Sequence, residues 1–520
     1  MGEAEIRRIV ILGGGTAGWL SACYVSARLA ALGQKVEVTL VEAPDIPTIG
    51  VGEGTWPTMR GTLAQIGIDE AAFLTACDAS FKQGSRFVGW TDGGAGDAYL
   101  HPFTAPREAE LADLVAAWAA DGASGFAAAL TAQDAAVAHH LAPRQVAMPD
   151  YAGALNYGYH LDAGKFAALL ARHAVERLGV IHRRERVVPA SPQPDGTLAA
   201  LVTASGEAIP GDLFLDCSGL AGLLVGGALG VPLVDRSDVL LNDRALAVQV
   251  PVQPGSPIAS ATVATAHAAG WIWDIGLPNR RGIGCVYASH HCDDDEALAT
   301  LRDYVARAVP GVDAGSIEPR RLAFPTGYRA TPWTGNCVAI GLSAGFLEPL
   351  EASAIVMIEL SLRALVESFP QRRATMPFLA ERFNALFTYR FERIVEFLKL
   401  HYLLSRRTEP YWQAQRAPET VPPRLAAMVE LWRDQAPGPA DFPHADEIFS
   451  AHSHAFVLYG MGFSAPRRSV GSESLAQGRR ALGEVARRTR TLTSALPPHR
   501  AYLDTLEPGR TAAHGALARS

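Results

Sequence analysis

The sequence predicts an α/β fold with a mainly helical C-terminal module, and three observations carry that prediction. A strand–glycine turn–helix pattern opens the chain at "RRIVILGGGTAGWLSACYVSARLAALG". Two more strand–glycine segments occur far downstream, at "GDLFLDCSGLAGLL" and "GNCVAIGLSAGFLEPLEASAIVMIEL". After Glu351 the apolar residues repeat at helical spacing in "SLRALVESF", "MPFLAERFNALFTYRFERIVEFLKLHYLLS" and "PPRLAAMVELWRDQ".

The opening pattern has a specific chemistry. Gly13, Gly15 and Gly18 form GxGxxG between an apolar strand and a helix, the context the dinucleotide fingerprint requires. Gly13 permits the tight turn, Gly15 lets backbone approach a pyrophosphate, and Gly18 lets helix and strand pack closely. Thr16 and Ala17 lie at the helix N-terminus, where N–H groups face phosphates. The next strand, "KVEVTLVEA", ends near Glu42, whose carboxylate can accept hydrogen bonds from both hydroxyls of an adenosine ribose. An NAD dehydrogenase would continue with alternating strands and helices. Here the chain returns to glycine turns from distant segments, which suits a long, extended FAD. The turn at Gly341 is placed to deliver backbone N–H groups to its isoalloxazine end.

Composition narrows the classes further. The 520 residues are 48% hydrophobic and 19% charged, enough for a sizeable core, and a net charge of −7 gives no support for nucleic-acid binding. The N-terminal stretch lacks a signal-peptide layout and no run of eighteen apolar residues occurs, so the expected location is the cytoplasm, away from membranes. Six scattered cysteines without a CxxC pair suggest neither a disulfide framework nor a zinc site. In "SHHCDDDEA", His290, His291, Cys292 and three aspartates leave two readings: a metal cluster, or a solvated loop with Asp293 to Asp295 at a helix start. The expectation is the loop, with no metal. The segment "GWIWDIGLP", Gly270 to Pro278, alternates at period two and so predicts a strand with both indoles on one face. Taken alone, the motif reads more simply as two core tryptophans than as a functional pair.

Together these segments resemble the flavin-dependent halogenases, the family that includes the tryptophan halogenases. The resemblance rests on "GGGTAGW" at Gly13 to Trp19, "IGVGE" at Ile49 to Glu53, "SFKQGSRFVGW" at Ser80 to Trp90 and "YLHPF" at Tyr99 to Phe103. It continues through "YHLDAGKFAALL" at Tyr159 to Leu170, "FLDCSG" at Phe214 to Gly219, "GWIW" at Gly270 to Trp273 and "GFLEPLEAS" at Gly345 to Ser353. The order and spacing match across roughly the first 400 residues.

The resemblance implies a Rossmann-like, GR2-type flavin monooxygenase fold and a two-stage reaction. FADH2 and O2 convert a halide ion to hypohalous acid, and a lysine then presents the halogen to an electron-rich aromatic. That lysine resembles Lys82, either donating a hydrogen bond to the oxidant or carrying the halogen as a haloamine. Glu351 is the implied partner, stabilising the lysine's charge or taking the arene's proton. The halide site falls on the amides of Ser353 and Ala354, at the start of "SAIVMIEL". The family usually has threonine and glycine there, so bromide or chloride preference stays open. Trp271 and Trp273 match a barrier that keeps substrate from the flavin, although Gly276 replaces the usual proline. His101 and Phe103 match positions that stack on the substrate ring.

The implied organisation is an FAD-binding α/β module over residues 1–355, with interleaved substrate-side segments, and a mainly helical module over 356–520 covering the substrate site. The stretch Glu447 to Ser469 has no counterpart to the segment that holds the amino-acid ends of free tryptophan. Indole or an indole derivative is therefore the expected substrate. No NAD(P)H site accompanies the FAD motifs, so a separate flavin reductase is expected to supply FADH2. Two rival readings remain: an FAD-dependent aromatic monooxygenase, and a catalytically inactive flavin-binding protein. His452 and His454 are read as solvated or core side chains, and residues 496–520 as a wrapping or partly disordered end.

Overall fold

The computed structural model describes residues 5–45, 52–106, 109–122, 125–444, 446–467 and 470–506. The chain forms two compact units, each gathered from three stretches. The first takes Met1–Asp78, Leu161–Arg236 and Phe324–Glu392, and the second Ala79–His160, Ser237–Ala323 and Arg393–Ser520.

The first unit is built on a six-stranded sheet in the order Trp333–Thr334, Cys337–Ala339, Leu213–Asp216, Arg8–Leu12, Glu37–Glu42, Ile181–Arg184. All neighbours are parallel except the first pair. Parallel strands are covered on both faces, which is why "RIVIL" and "LFLD" are near-continuous apolar runs. Leu12 pairs with Asp216, and Asp216 with Ala339, so the three strands end side by side. The three glycine turns therefore open along one edge, the C-terminal edge where ligands of such sheets bind. This is the Rossmann-like α/β fold read from the sequence.

The second unit holds a seven-stranded sheet in the order Arg320–Ala323, Arg244–Pro251, Arg280–Tyr287, Gly270–Gly276, Thr262–His267, Gly84–Val88, Ala98–Pro102. Its pairs are antiparallel except Thr262–His267 with Gly84–Val88. A short antiparallel pairing joins Ser80–Lys82 to the Gly158–Leu161 strand, with Ser80 opposite His160 and Lys82 opposite Gly158.

The Gly270–Gly276 strand shows why an aspartate stands between Trp273 and Ile275. Trp271 and Trp273 share a face, their rings 6.3 Å apart, while Asp274 points to the other side. There its carboxylate accepts from Arg281 Nε at 2.8 Å and from the Tyr304 hydroxyl at 2.8 Å, with Arg281 Nη2 also donating. Tyr304 belongs to the Asp294–Ala308 helix, so a polar triad seats that helix on the sheet. The same helix settles the aspartate run: Asp293 is its N-cap, accepting from Asp295 N and Glu296 N, while Glu296 accepts from Asp293 N. Among the described residues no group of three or more His, Cys, Asp or Glu side chains is placed to hold a metal ion.

The C-terminal part is helical as predicted. The long helices are Ser353–Glu367, Met376–Leu403 and Ser472–Ala495, and no strand longer than an isolated bridge follows residue 346 among the described residues. His454 is buried in this part, and burial drives its imidazole down to about 3, which fits the core reading. Residues 496–506 pack down, with the buried His499 accepting a hydrogen bond from Phe81 N at 2.9 Å. The rest of the tail, 507–520, lies outside the described residues. No helix among the described residues is long and apolar enough to cross a membrane.

Replacing Asp274 by Ala removes the carboxylate that Arg281 and Tyr304 share and leaves Arg281 with the Ala308 carbonyl. A loss of about 3 kcal/mol is expected, from breaking a buried ion pair on one side. Urea unfolding of D274A against wild type checks it, with D274N expected to fall between the two.

Candidate active site

The site residues of the first unit gather at the sheet edge just described. Gly13 has φ +115°, and a Cβ there would lie 2.3 Å from the Cys217 carbonyl oxygen. A Cβ on Gly18 would lie 1.8 Å from the Gly13 oxygen, whereas nothing stands within 4 Å of one on Gly15. Two glycines are thus required by packing, and the third faces open space where a pyrophosphate would approach. Gly15 is the N-cap of the Thr16–Ala31 helix, so Thr16 and Ala17 begin the turn whose N–H groups lack intrahelical acceptors. Gly341 has φ +74°, and a Cβ on it would meet the Ala17 side chain at 2.8 Å. The third glycine turn therefore lies against the first. The Glu42 carboxylate sits over Gly14 and accepts from, or shares a proton with, His182 Nε2 at 2.8 Å. His182 also packs edge-on against Trp19 at 4.8 Å. It orients Glu42, a role with no signal in the sequence. An open glycine cradle at a helix N-terminus, with an oriented carboxylate at the neighbouring strand end, fits FAD.

Glu351 and Ser353 are both buried in this unit, and Ala354 is exposed. Ala352 adopts the left-handed conformation at φ 54°, turning the chain so that the Ser353–Glu367 helix starts at the pair assigned to the halide. Trp56 fixes that turn, its indole N–H donating to the Glu351 carbonyl oxygen at 2.8 Å. Trp56 follows the "IGVGE" segment, of which Ile49–Val51 lie outside the described residues.

The remaining site residues belong to the second unit. Lys82 is only 1% exposed, and its Nζ stands 5.6 Å from the centre of the Phe103 ring. A lysine this deeply buried is uncommon and costs stability unless its charge is supported. His160 pairs opposite Ser80 and so shares a strand face with Lys82. Its Nε2 meets the Thr262 hydroxyl at 2.8 Å, and burial, with Lys82's charge added, holds it neutral. His101 packs against Phe397 at 5.5 Å and Phe449 at 6.4 Å, and those two rings stack on each other at 3.7 Å. Phe397 comes from the Met376–Leu403 helix, where helical periodicity marks it only as core, and Phe449 from the loop before the Ala451–Gly460 helix. Trp271 joins a buried aromatic cluster through Trp90 at 6.4 Å, and Trp90 packs on Trp412 at 5.2 Å. The Trp273 indole lies over Gly284 of the next strand, where a Cβ would be 2.0 Å from its Cζ2 atom. Lys82 with Phe103, and Trp271 with Trp273, are thus brought together within this unit. Glu351 belongs to the other.

The sheet edge and its glycine cradle define the class: a dinucleotide-binding α/β enzyme of Rossmann type. The chain belongs to the tryptophan halogenase family, whose family model matches residues 8–476. It is 33% identical to tryptophan 6-halogenase SttH of Streptomyces toxytricini, over 95% of this chain and 97% of that protein. The fold superposes on a tryptophan halogenase from Shewanella frigidimarina NCIMB 400 with a TM-score of 0.93 and 43% identity, covering 96% of this chain and 98% of the other. It superposes equally completely on BrvH, a flavin-dependent halogenase from Brevundimonas sp. BAL3. There the TM-score is 0.85 and the identity 33%, with 97% and 99% of the chains covered. The protein is a flavin-dependent halogenase, an oxidoreductase, as its sequence predicted.

Gly284→Ala puts a methyl group into the Trp273 ring. The variant is expected to lose about 1–3 kcal/mol as the indole is displaced. A changed tryptophan emission spectrum, alongside a lowered urea midpoint, checks both consequences.

Proposed function

We propose that the enzyme makes hypohalous acid from a halide ion and that Lys82 delivers the halogen to an electron-rich aromatic, indole or an indole derivative. The observation that carries this reading is the almost complete burial of Lys82 beside the face of Phe103. Such a position shields an ammonium from water, so its hydrogen bond to a small oxidant is stronger than in solution. Lys82 donates to the oxygen of hypohalous acid and leaves the halogen electrophilic. Glu351 takes the proton that the ring loses when the carbon–halogen bond has formed. The amides of Ser353 and Ala354 hold the halide at the positive end of their helix. Phe103 and His101 stack on the substrate ring, and the stacked Phe397 and Phe449 behind His101 fix its plane. Trp271 and Trp273 keep the organic substrate from the flavin while a small oxidant passes.

Gly13, Gly15, Thr16, Ala17, Gly18, Glu42 and Gly341 hold FAD in this reading. Bound as FADH2, it would supply two of the four electrons that reduce dioxygen, the halide giving the other two as it becomes hypohalous acid. A separate flavin reductase regenerates it in the cell's cytoplasm. In functional terms residues 1–355 carry the flavin chemistry and 356–520 cover the substrate. Free tryptophan is the second reading, favoured by the named activity of SttH.

The test supplies the purified protein with FAD, a flavin reductase, NADH and either indole or tryptophan, with bromide, chloride or neither. Product bearing a halogen isotope pattern only when halide is present is expected, more on indole than on tryptophan. Lys82→Ala should lower it at least about a hundredfold, the usual scale for losing a catalytic proton donor. Oxygenated product without halogen makes the protein a monooxygenase. Flavin binding without turnover on a panel of arenes makes it a binding protein.

A further inference from the structure

The Ser353–Glu367 helix carries a buried acid that the reaction above does not use. Glu359 is 5% exposed, and both its oxygens are taken by threonines of the Thr58–Ile66 helix. Thr58 Oγ1 donates to one at 3.0 Å and Thr62 Oγ1 to the other. Two turns earlier on the same pair of segments, the Trp56 indole holds the Glu351 carbonyl. The helix N-terminus and Glu359 are therefore fixed to one neighbouring segment at two points. At a rise of about 1.5 Å per residue, the six residues from Ser353 to Glu359 place its backbone about 9 Å down the axis from the first amide, with the carboxyl at that order of distance.

We propose that Glu359 is a positioning residue whose charge sets how tightly the amides at Ser353 and Ala354 hold a halide. The inference rests on the halide reading of those amides given above. The physics is a competition of signs. The helix end attracts an anion through its N–H groups, while an ionised carboxylate about 9 Å away through protein repels it. The two threonine hydroxyls keep the carboxyl in place. Burial raises Glu359 to about 7, against which both threonine hydrogen bonds work. The acid is therefore neutral below about pH 7 and charged above it, so halide affinity falls as pH rises through that value.

The groups facing Glu359 among the described residues leave this charge largely intact. Arg363, one turn on, lowers its pKa, but less than the threonines do. On the Thr16–Ala31 helix, which packs against it, Tyr24 feels the charge of Glu359 together with Arg28, Arg363 and Glu367. On the threonine helix Arg60 turns back to the Pro57 carbonyl at 3.4 Å. Glu53, just before Trp56 in the chain, is also pushed up to about 7 by burial and must be separated from Glu359 experimentally.

The experiment measures bromide KM and kcat from pH 6 to pH 8, and the broadening of the bromide NMR line by flavin-free protein over the same range. In wild type KM should rise roughly five- to tenfold with pH, on the scale of one charge at that distance in a protein-like dielectric, and the line broadening should fall in parallel. Glu359→Gln should hold KM near its low-pH value throughout, with kcat at saturating bromide unchanged. Thr62→Val, which removes a hydrogen bond favouring the charged form, should move the midpoint to higher pH. Glu53→Gln should leave the wild-type profile. A Glu359→Gln enzyme that keeps the wild-type rise in KM, or loses kcat alone, overturns the inference while the halide site stands. Wild-type protein that neither broadens the bromide line nor needs halide for turnover removes the halide site itself, and the inference with it.

Discussion

The oxygen of Gly13 occupies the space that a side chain on Gly18 would need, and the Cys217 carbonyl occupies that of Gly13. Strand, turn and helix can meet this closely only as bare backbone. The first unit depends on that contact. It brings the start of the Thr16–Ala31 helix down onto the end of the central strand. The neighbouring strands then end level with it at Asp216 and Ala339. Gly341 can approach Ala17 only because the first turn is already in place. One edge of the sheet thus becomes a wall of backbone N–H groups with no side chains in front of Gly15, which is what a pyrophosphate requires.

The protein buries several polar groups in each unit and supplies them with partners. Asp216 is fully buried at the end of its strand, where it accepts from the amides of Ser218, Leu224 and Val225 at 2.8–3.1 Å. The "LDCSG" stretch is in this sense a backbone clamp that shapes the turn after the strand. Asp274 has Arg281 and Tyr304. Glu359 has two threonines. Lys82 is buried as well, beside the Phe103 ring and on the same strand face as His160, which burial keeps neutral. Such partners fix geometry.

The two tryptophans of the Gly270–Gly276 strand show how one residue type divides its work. Trp271 is 1% exposed and tied into the cluster with Trp90 and Trp412, so it anchors the strand. Trp273 is held differently, lying flat over a glycine that the next strand provides. The core reading and the functional reading of this motif are compatible.

The sequence by itself determined the elements whose signals are local. The glycine turn shows its φ and packing demands in residue type, the parallel strands show in apolar runs, and the late helices show in their period. Family motifs singled out Lys82, Glu351 and the tryptophan pair as candidates. Tertiary structure alone decided which side chains meet across long separations. His182 orients Glu42 from 140 residues away, Trp56 reaches Glu351 across 295, and Thr62 reaches Glu359 across 297. Phe397 comes to His101 from a helix whose pattern marks it only as buried, and Phe449 from the loop just before the Ala451–Gly460 helix. Each unit draws on three stretches of chain, so these partners are neighbours only after folding. A periodic pattern tells which face of an element is buried, because that depends on the element alone. It does not tell what the face is buried against, because that depends on how the stretches are assembled.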